Sequence, residues 1–334
     1  MKYIITVDAG TTNTRAILFD EQQQMKAMES RGTGVRNTAI DGSNHRLRTA
    51  VRECLEGLLA KENISYQEVS MIIASGMITS NVGLVEIPHL TAPVGINELA
   101  AGVQSVFLED VCPIPIHFIP GIKNTSVPIT LENYESMDIM RGEETESVAL
   151  INSLPAGHRI LIVLPGSHTK FVSVNEAGQI TGCLTTLSGE LLSVVTNNTI
   201  IADAVGHQFV QEETCDTDLL LAGYQNARKT GLGRACFSCR ILSQFTDLSK
   251  EKLASYLLGV ILSSDVLSIR NSNALCVDRS TIVLVAGKDP LRGAICEVLR
   301  ADGYFSEVIG YDSTGDIPLS GKGALLIAHQ KNLL

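Results

Sequence analysis

The pattern of apolar and polar residues at the start of the chain predicts two short strands followed by a helix. Residues 3–7 are rich in β-branched side chains and residues 14–19 are apolar, with a polar stretch of six residues between them. This order is typical of a β-hairpin. Apolar residues then recur at helical spacing over residues 44–62, which predicts an amphipathic helix.

The remaining apolar runs predict alternating strands and helices. The predicted strands are 71–74, 114–119, 159–164, 171–174, 180–184 and 281–286. The predicted helices are 191–205, 252–269, 290–299 and 323–334. A hairpin with a third strand, followed by helix, strand, helix and strand, thus occurs once from residue 3 and again from about residue 159. Such alternation implies layered α/β domains, and its repetition suggests internal duplication.

Length and composition agree with two soluble globular units. The chain has 334 residues, of which 45% are hydrophobic and 19% charged, so it can form two cores of about 150 residues each. Its formal net charge is -10 and no basic stripe offsets it, which argues against a nucleic-acid partner. We expect neither a signal peptide at the N-terminus nor a membrane segment, because the longest apolar stretch, around 256–262, is too short to span a bilayer.

The cysteines favour a reduced, cytoplasmic protein. All eight are scattered, without the density of a disulfide scaffold. Cys236 and Cys239 form one CxxC pair, but no second pair completes a zinc site.

The first candidate for chemistry is the turn of the N-terminal hairpin. Gly10 lets the backbone approach a phosphate, and Thr11, Thr12 and Asn13 add side-chain donors, so we assign these four residues to nucleotide binding. Asp8, at the strand end, can hold a hydrated magnesium ion. Arg15 could reach the transferred phosphoryl group or an anionic substrate. The alternative is a turn whose residues serve its conformation only.

The second half repeats this design. An apolar strand leads into Gly166, Ser167, His168, Thr169 and Lys170, and a returning strand follows. Two facing turns of this kind can clamp the β- and γ-phosphates of a nucleotide from both sides, with His168 and Lys170 as further donors.

A third candidate is the acidic segment 140–146 at the crossing between the two halves. Transfer of a phosphoryl group to a hydroxyl needs a carboxylate that accepts the proton. Glu143 and Glu144 are both candidates, and the residues do not distinguish them. The alternative is an acidic helix N-terminus favoured by the helix dipole.

A fourth candidate is Gly287, between a strand and a helix start, where an adenosine could pack on the backbone. A plain strand-to-helix turn looks the same. No GxxxxGK[ST] motif is present, so any ATP would bind without a P-loop.

With these motifs in place, the chain resembles the 2-dehydro-3-deoxygalactonate kinases of the actin-like ATPase and sugar kinase superfamily. Arg141-Gly-Glu-Glu-Thr145 and Pro165-Gly-Ser-His-Thr-Lys170 are the most specific matches. The matching stretches, all in the same order as in the family, are 8–15, 75–81, 120–122, 140–146, 164–170, 188–191, 237–240 and 256–259.

The resemblance implies an enzyme that uses ATP and magnesium to phosphorylate the 6-hydroxyl of 2-dehydro-3-deoxy-D-galactonate. It places the acceptor against the N-terminal domain. The implied acceptor-binding residues are Ser75, Gly76, Met77, Ser80 and Asn81, with Lys123 or Arg141 pairing with the substrate carboxylate. Ala9 stands where the family has an aromatic residue, and Val82-Gly83-Leu84 replaces polar and aromatic residues. These departures leave a related keto-deoxy sugar acid open as the acceptor.

The sequence therefore predicts two ribonuclease-H-like α/β domains, as in actin-like ATPases, with a nucleotide cleft between them. The predicted divisions are 1–142 for acceptor and phosphate binding, 143–320 for nucleotide binding, and 321–334 for a terminal helix packing back on the N-terminal domain. The partner is a small sugar acid, and a homodimer is left open. The competing functions are an exopolyphosphatase-like phosphatase of the same fold and a non-catalytic, nucleotide-dependent sensor.

Overall fold

The computed structural model describes residues 2–154, 156–312 and 317–331. Its strands are β1 (Tyr3–Ala9), β2 (Thr14–Phe19), β3 (Met25–Arg31), β4 (Val69–Gly76), β5 (Leu90–Thr91), β6 (Gln104–Val106), β7 (Ile116–Phe118), β8 (Ile122–Lys123), β9 (Ile139–Met140), β10 (Ile160–Leu164), β11 (Thr169–Val174), β12 (Ile180–Thr186), β13 (Ile282–Val285) and β14 (Glu307–Gly310). Its helices are α1 (Val35–Asp41), α2 (His45–Glu62), α3 (Ile96–Gly102), α4 (Glu143–Ile151), α5 (Ser188–Asn198), α6 (Ala202–Val205), α7 (Thr217–Thr230), α8 (Leu232–Phe245), α9 (Lys250–Asn271), α10 (Leu291–Asp302) and α11 (Leu319–Gln330).

The two large sheets share one strand order. The first runs β3-β2-β1-β4-β7-β6 and the second runs β12-β11-β10-β13-β14. In each, the first three strands along the chain are antiparallel and two further strands add in parallel, namely β4 and β7 in the first sheet and β13 and β14 in the second. The first sheet has β6 as an additional edge strand, antiparallel to β7. This shared plan confirms the predicted fold class of two ribonuclease-H-like units and the duplication suggested by the sequence. A third, small sheet has the order β5-β8-β9.

The predicted helix over 191–205 is wrong, because the structure has two helices there, α5 and α6. Three successive β-branched residues, Thr199, Ile200 and Ile201, separate them, and Thr199 adopts an extended conformation. Such side chains fit poorly in a helix. The last helix begins at Leu319, four residues before the predicted start, and residues 332–334 of that prediction lie outside the described residues. Helices α7 and α8 and strand β14 were not predicted.

Helix α9 is the central helix of the second unit. It has 22 residues and is apolar enough to cross a membrane by length and composition alone, yet 72% of that apolar window is buried inside the fold. It packs closely on α7, since a Cβ on Gly259 would lie 1.8 Å from the carbonyl oxygen of Leu220. Its hydrophobicity is thus explained by its place in the core.

Helix α11 packs against the first unit and against the crossing helix α4. Gln330 Nε2 donates to Asn97 Oδ1 at 2.5 Å, and Lys331 Nζ donates to the carbonyl oxygen of Val103 at 2.7 Å. Gly323 lies directly on α4, where a Cβ would come within 1.8 Å of the carbonyl oxygen of Thr145. Only glycine allows the two helices to approach this closely. The position of α4 therefore depends on α11.

We expect Gly323→Ala to destabilise the protein by about 1–3 kcal/mol or more, because the added methyl group overpacks the contact between α11 and α4. Gly233→Ala is the matched control, since Gly233 also lies in a helix but its Cβ would meet no atom within 4 Å. That change should be neutral or stabilising by about 0.4–1 kcal/mol. Chemical denaturation followed by circular dichroism measures both, and equal stabilities of the two variants would contradict this account.

Candidate functional site

The first glycine turn joins β1 to β2 and is braced by a helix. The amide of Gly10 donates to the carbonyl oxygen of Asn13 at 2.9 Å, and the side chains of Thr11, Thr12 and Asn13 are exposed. The carbonyl oxygens of Gly10 and Thr11 accept from the first amides of α1 at 3.1 and 2.9 Å. A Cβ on Gly34 would lie 2.5 Å from both carbonyl oxygens, so only glycine allows this contact. The turn is thus fixed from behind while its polar side chains face solvent.

The second turn, between β10 and β11, has the same construction. Ser167 and His168 are exposed, and the carbonyl oxygen of Ser167 accepts from the amide of Glu190 at the start of α5 at 3.0 Å. A Cβ on Gly189 would lie 2.2 Å from the carbonyl oxygen of Gly166. His168 Nε2 lies 2.9 Å from Glu190 Oε1. Each turn is therefore held by the N-terminus of the helix behind it.

The second turn is also tied to the core through hydroxyl groups. Thr169 Oγ1 lies 2.9 Å from Ser188 Oγ, which in turn lies 3.1 Å from Thr186 Oγ1. Burial raises the pKa of Asp265 on α9 to about 6, while the hydroxyls of Thr186 and Ser188 lower it. Asp265 is thus a buried carboxyl group behind this turn, and the sequence analysis did not identify it.

Lys170 is separated from the exposed part of this turn. Its side chain is buried on the opposite face of β11 from Thr169, because side chains alternate along a strand. Lys170 Nζ donates to the carbonyl oxygen of Ile139 at 2.8 Å and to Thr185 Oγ1, and lies 3.8 Å from Asp138 Oδ1. These bonds connect the second sheet to the strand that enters the crossing.

At the crossing, a glycine places the start of α4 against the end of β4. Gly142 has a φ of 113°, and a Cβ on it would lie 3.2 Å from the Cα of Gly76. The amide of Gly142 donates to both carboxylate oxygens of Glu144 at 2.9 and 2.8 Å. Glu144 is fully buried, and burial, with a smaller effect of the Glu143 charge, raises the pKa of its carboxyl group to about 8. Glu144 therefore acts as a buried cap of its own helix.

Glu143 differs from Glu144 in its surroundings. It is partly exposed, and one of its carboxylate oxygens accepts from the amide of Arg141 at 3.1 Å. Its charge raises the pKa values of Asp8 and Glu146. Glu143 thus lies on the side of α4 that faces β1.

Asp8 lies in a row of polar residues across the first sheet. Arg15 on β2 and Ser75 on β4 are its register partners on either side. Burial raises the pKa of Asp8, Arg15 and a hydrogen bond from Ser320 lower it, and Glu143 raises it. Ser75 Oγ is buried and has no hydrogen-bond partner among the residues that the structure describes. This row therefore contains a carboxylate, a cation and a free hydroxyl side by side.

Glu146 completes an acidic cluster with Asp8 and Glu143. Burial and, to a smaller extent, the charges of Asp8 and Glu143 raise the pKa of Glu146 to about 8, against a lowering effect of Arg15. The sequence analysis did not assign Glu146, although its spacing of three residues from Glu143 places both on one helix face. Ser320, at the start of α11, gave no signal in the sequence. In the parts of the chain that the structure describes, no group of three or more His, Cys, Asp or Glu side chains has the arrangement of a metal site.

The segment 75–81, predicted to bind the acceptor and called the acceptor loop below, covers the end of β4 and the turn after it. Gly76 has a φ of 89°, and a Cβ there would lie 2.8 Å from Asp8 Oδ1, so glycine lets this strand end lie against the carboxylate. Met77 starts a short turn, and its carbonyl oxygen accepts from Ser80 Oγ at 2.7 Å. Asn81 is exposed. The loop therefore begins beside the acidic cluster and ends in solvent.

The two cations predicted to bind a carboxylate both belong to the region of the small sheet. Lys123 lies on β8, and Arg141 directly follows β9. Arg141 Nη1 donates to the carbonyl oxygen and to Oγ1 of Thr79 at 2.6 and 2.8 Å. Lys123 is half-buried, and within the described ranges its ammonium group has neither a hydrogen bond nor an ion pair. The structure thus bonds Arg141 to the acceptor loop, and it places Lys123 close enough to His89, the neighbour of Arg141, for its charge to lower the pKa of His89.

An apolar cavity of about 330 Å³ opens next to the second turn. Gly166, Ser167 and Thr169 form its polar end, and side chains of α5, α9 and α10 form its walls. The apolar wall residues include Leu192, Val210, Leu258, Ile261, Leu291 and Ile295. Gly287 lies just outside, with a φ of 113° and against Pro165. A cavity with an apolar body and a glycine turn at one end suits a nucleoside joined to phosphates.

Comparison with known proteins agrees with this geometry. The family model for 2-keto-3-deoxy-galactonokinase matches residues 8–314. The 2-dehydro-3-deoxygalactonokinase of Escherichia coli is 26% identical over 285 residues, which cover 85% of each chain. A crystal structure described as a putative 2-dehydro-3-deoxygalactonokinase from Sinorhizobium meliloti superposes with a TM-score of 0.75 at 21% identity and covers 98% of each chain.

The family match spans nearly the whole chain and includes both turns and the crossing. It confirms the resemblance that the sequence motifs indicated. The chain therefore belongs to the 2-keto-3-deoxy-galactonokinase family of sugar-acid kinases.

Proposed function

We propose that this protein transfers the γ-phosphoryl group of ATP to the 6-hydroxyl of 2-dehydro-3-deoxy-D-galactonate. The observation that carries the proposal is the pair of glycine turns of equal construction, one on each sheet, with an acidic cluster at the crossing between them. Similarity to the E. coli kinase supports this acceptor. Catalysis of phosphoryl transfer depends mainly on positioning the reacting groups and on stabilising their charge. The two glycine turns and the acidic cluster can provide both.

The residues present fit a nucleotide. Exposed groups at Gly10, Thr11, Thr12 and Asn13 would contact its phosphates from one side, and those of 166–169 from the other. The cavity beside the second turn would receive the nucleoside, with Gly287 at its edge. We further propose that the chain divides functionally at 142/143, so that these two turns belong to different domains.

A magnesium ion would be held by Asp8 together with phosphate oxygens of the nucleotide, because magnesium is commonly bound through one or two carboxylates plus substrate phosphates. Burial raises the pKa values of the Asp8 and Glu146 carboxyl groups, and the charge of Arg15 partly offsets this effect. Carboxylate oxygens are the ligands that magnesium prefers. Bound at Asp8, the ion would neutralise charge on the phosphates. Ser320 would orient the Asp8 carboxylate.

Glu143 is the residue that we propose as general base. Its carboxylate is partly exposed beside Asp8 and can accept the proton of the acceptor hydroxyl as the new phosphate ester bond forms. Glu144 is fully buried and bonded to the amide of Gly142, so it cannot reach a substrate in this arrangement. The acceptor would lie along 75–81, with the unpartnered Ser75 hydroxyl facing the reaction.

We also propose that the protein works in the cytoplasm. All eight cysteines are free, and burial raises the pKa of most of them, including Cys183 and Cys239 to about 12. Buried thiols of this kind are inert and suit a reducing compartment. A homodimer remains an open proposal.

The function is tested by acceptor-dependent ADP release from magnesium-ATP with a panel of keto-deoxy sugar acids and common hexoses. We expect strong turnover with 2-dehydro-3-deoxygalactonate and little with hexoses. Turnover with another panel member instead would overturn the acceptor. Phosphate release from polyphosphate without any sugar would favour the phosphatase, and nucleotide binding without turnover would favour the sensor.

The two crossing glutamates should respond differently to removal of charge. We expect Glu143→Gln to lower kcat by about 10²–10⁴-fold, because the proton loses its acceptor. Glu144→Gln, its matched control at the neighbouring position, should lower kcat by less than about tenfold. Steady-state kinetics at saturating ATP and acceptor measures both values, and a larger loss in the Glu144 variant would reverse the assignment.

The pH dependence of the free energy of unfolding tests the protonation state of Glu144 independently of the kinetics. Its pKa is about 8 when folded and 4.5 unfolded, so the folded state binds the extra proton and stability falls as pH rises from about 4.5 to 8. We expect Glu144→Gln to remove this fall and to exceed the wild type in stability by about 2–4 kcal/mol at pH 8. Urea unfolding of the nucleotide-free proteins at pH 5 and pH 8 measures the difference. A parallel pH dependence in both proteins would show that Glu144 is ionised throughout.

A further inference from the structure

Arg141 uses nearly all of its hydrogen-bonding capacity within the protein. Nη1 donates to two oxygens of Thr79, and Nη2 donates to the carbonyl oxygen of Ile87 at 2.7 Å and lies 3.3 Å from His89 Nδ1. A guanidinium group has five N–H donors, so four are engaged and only Nε–H remains. A carboxylate of a substrate could not form a bidentate pair with Arg141 unless these bonds broke.

His89 is in the form that this bond needs. Burial, together with the charges of Arg141 and Lys123, lowers its pKa to about 4, so the imidazole is neutral near pH 7. Since a guanidinium can only donate, Nδ1 of the neutral ring accepts from Arg141. Gly121 lies between the two side chains, where a Cβ would come within 2.7 Å of Arg141 Cγ and 2.9 Å of His89 Cδ2. The contact between Arg141 and His89 therefore depends on a glycine that directly precedes β8, the middle strand of the small sheet.

The main chain of Arg141 makes the second half of the connection. Its amide donates to Glu143 Oε2 at 3.1 Å, and the next residue, Gly142, lies against Gly76. One residue thus bonds the acceptor loop through its side chain and the proposed general base through its backbone. A shift of the loop segment 79–89 would move Glu143 with it.

Lys123 is different, because its charge is uncompensated. It lies on β8, in register with Thr91 of β5 and Ile139 of β9, so its side chain shares a face of the small sheet with that of Thr91. No acceptor among residues 2–154, 156–312 and 317–331 is bonded to its ammonium group, and it is only half-buried. A half-buried cation without a partner favours an anionic ligand.

We propose that Lys123 binds the carboxylate of the acceptor and that Arg141 is a positioning residue, which couples the acceptor loop to Glu143. This assignment rests on the proposed function, because it takes the acceptor to be a sugar acid bound at the 75–81 loop. The sequence left open whether Lys123 or Arg141 binds the carboxylate, and the proposal gives each of them a different role. Recognition of the charge and alignment of the base then belong to different side chains.

The test compares 2-dehydro-3-deoxygalactonate with its carboxamide, which keeps the shape and lacks the charge. The measured quantity is the ratio of kcat/KM for the acid to that for the amide. We expect the wild type to prefer the acid by about 10–100-fold. Lys123→Met should bring this ratio close to one and raise the KM for the acid, with the KM for ATP unchanged.

Arg141→Lys should give the opposite result. We expect kcat to fall by roughly 100-fold, because a misplaced base loses alignment, while the preference for the acid stays within about threefold of the wild-type ratio. His89→Phe removes only one of the four acceptors and serves as a second, milder variant, with a smaller fall in kcat and the same unchanged ratio. His117→Phe, a substitution of another half-buried histidine in the same unit, should leave kcat and the ratio unchanged.

Collapse of the acid preference in Arg141→Lys or His89→Phe would overturn the proposal, because Arg141 would then bind the carboxylate. An unchanged ratio in Lys123→Met would overturn it as well. These outcomes are distinct from failure of the proposed function, which would appear as absence of acceptor-dependent turnover in the wild-type enzyme.

Discussion

The structure depends on the gathering of like-charged carboxylates at the crossing between its two sheets. Burial raises the pKa values of Asp8 and Glu146, the charge of Glu143 raises both as well, and Arg15 is the cation that partly offsets these effects. Such a cluster is unfavourable by itself, so the surrounding fold must hold it in place. Helix α11 does so from one side, since Gly323 packs on Thr145 of α4 and Ser320 bonds Asp8.

The two units repeat the same five-strand order, but they differ in the residues that lie beside the glycine turns. In the first sheet Asp8 pairs in register with Arg15, and at the equivalent place in the second sheet Leu164 pairs with Lys170. The second unit therefore repeats the glycine turn and its supporting helix without the acid. Lys170 instead bonds to Ile139 and joins the second sheet to the crossing. The first sheet and the crossing helix α4 together provide the acidic cluster, and the second unit provides the apolar cavity.

The sequence predicted the fold class and both glycine turns, because hairpin turns and apolar periodicity are local signals. It did not separate Glu143 from Glu144, since only the fold shows which of two neighbouring side chains is buried. Ser320 is 312 residues from Asp8 in sequence, and nothing local marks their contact. The burial of the Lys170 side chain and the hydrogen bonds of the Arg141 guanidinium group likewise follow from tertiary packing. The predicted helix over 191–205 was wrong because three β-branched residues interrupt it.

The central claim is that nucleotide phosphates bind against the first glycine turn. The most direct test is calorimetric titration of wild type and Gly10→Ala with magnesium and a non-hydrolysable ATP analogue. A Cβ on Gly10 would meet no atom within 4 Å, so the variant should fold with unchanged stability. The account predicts that its affinity falls by at least about tenfold, because the methyl group occupies the place of a phosphate oxygen. Equal affinity in the two proteins would contradict it.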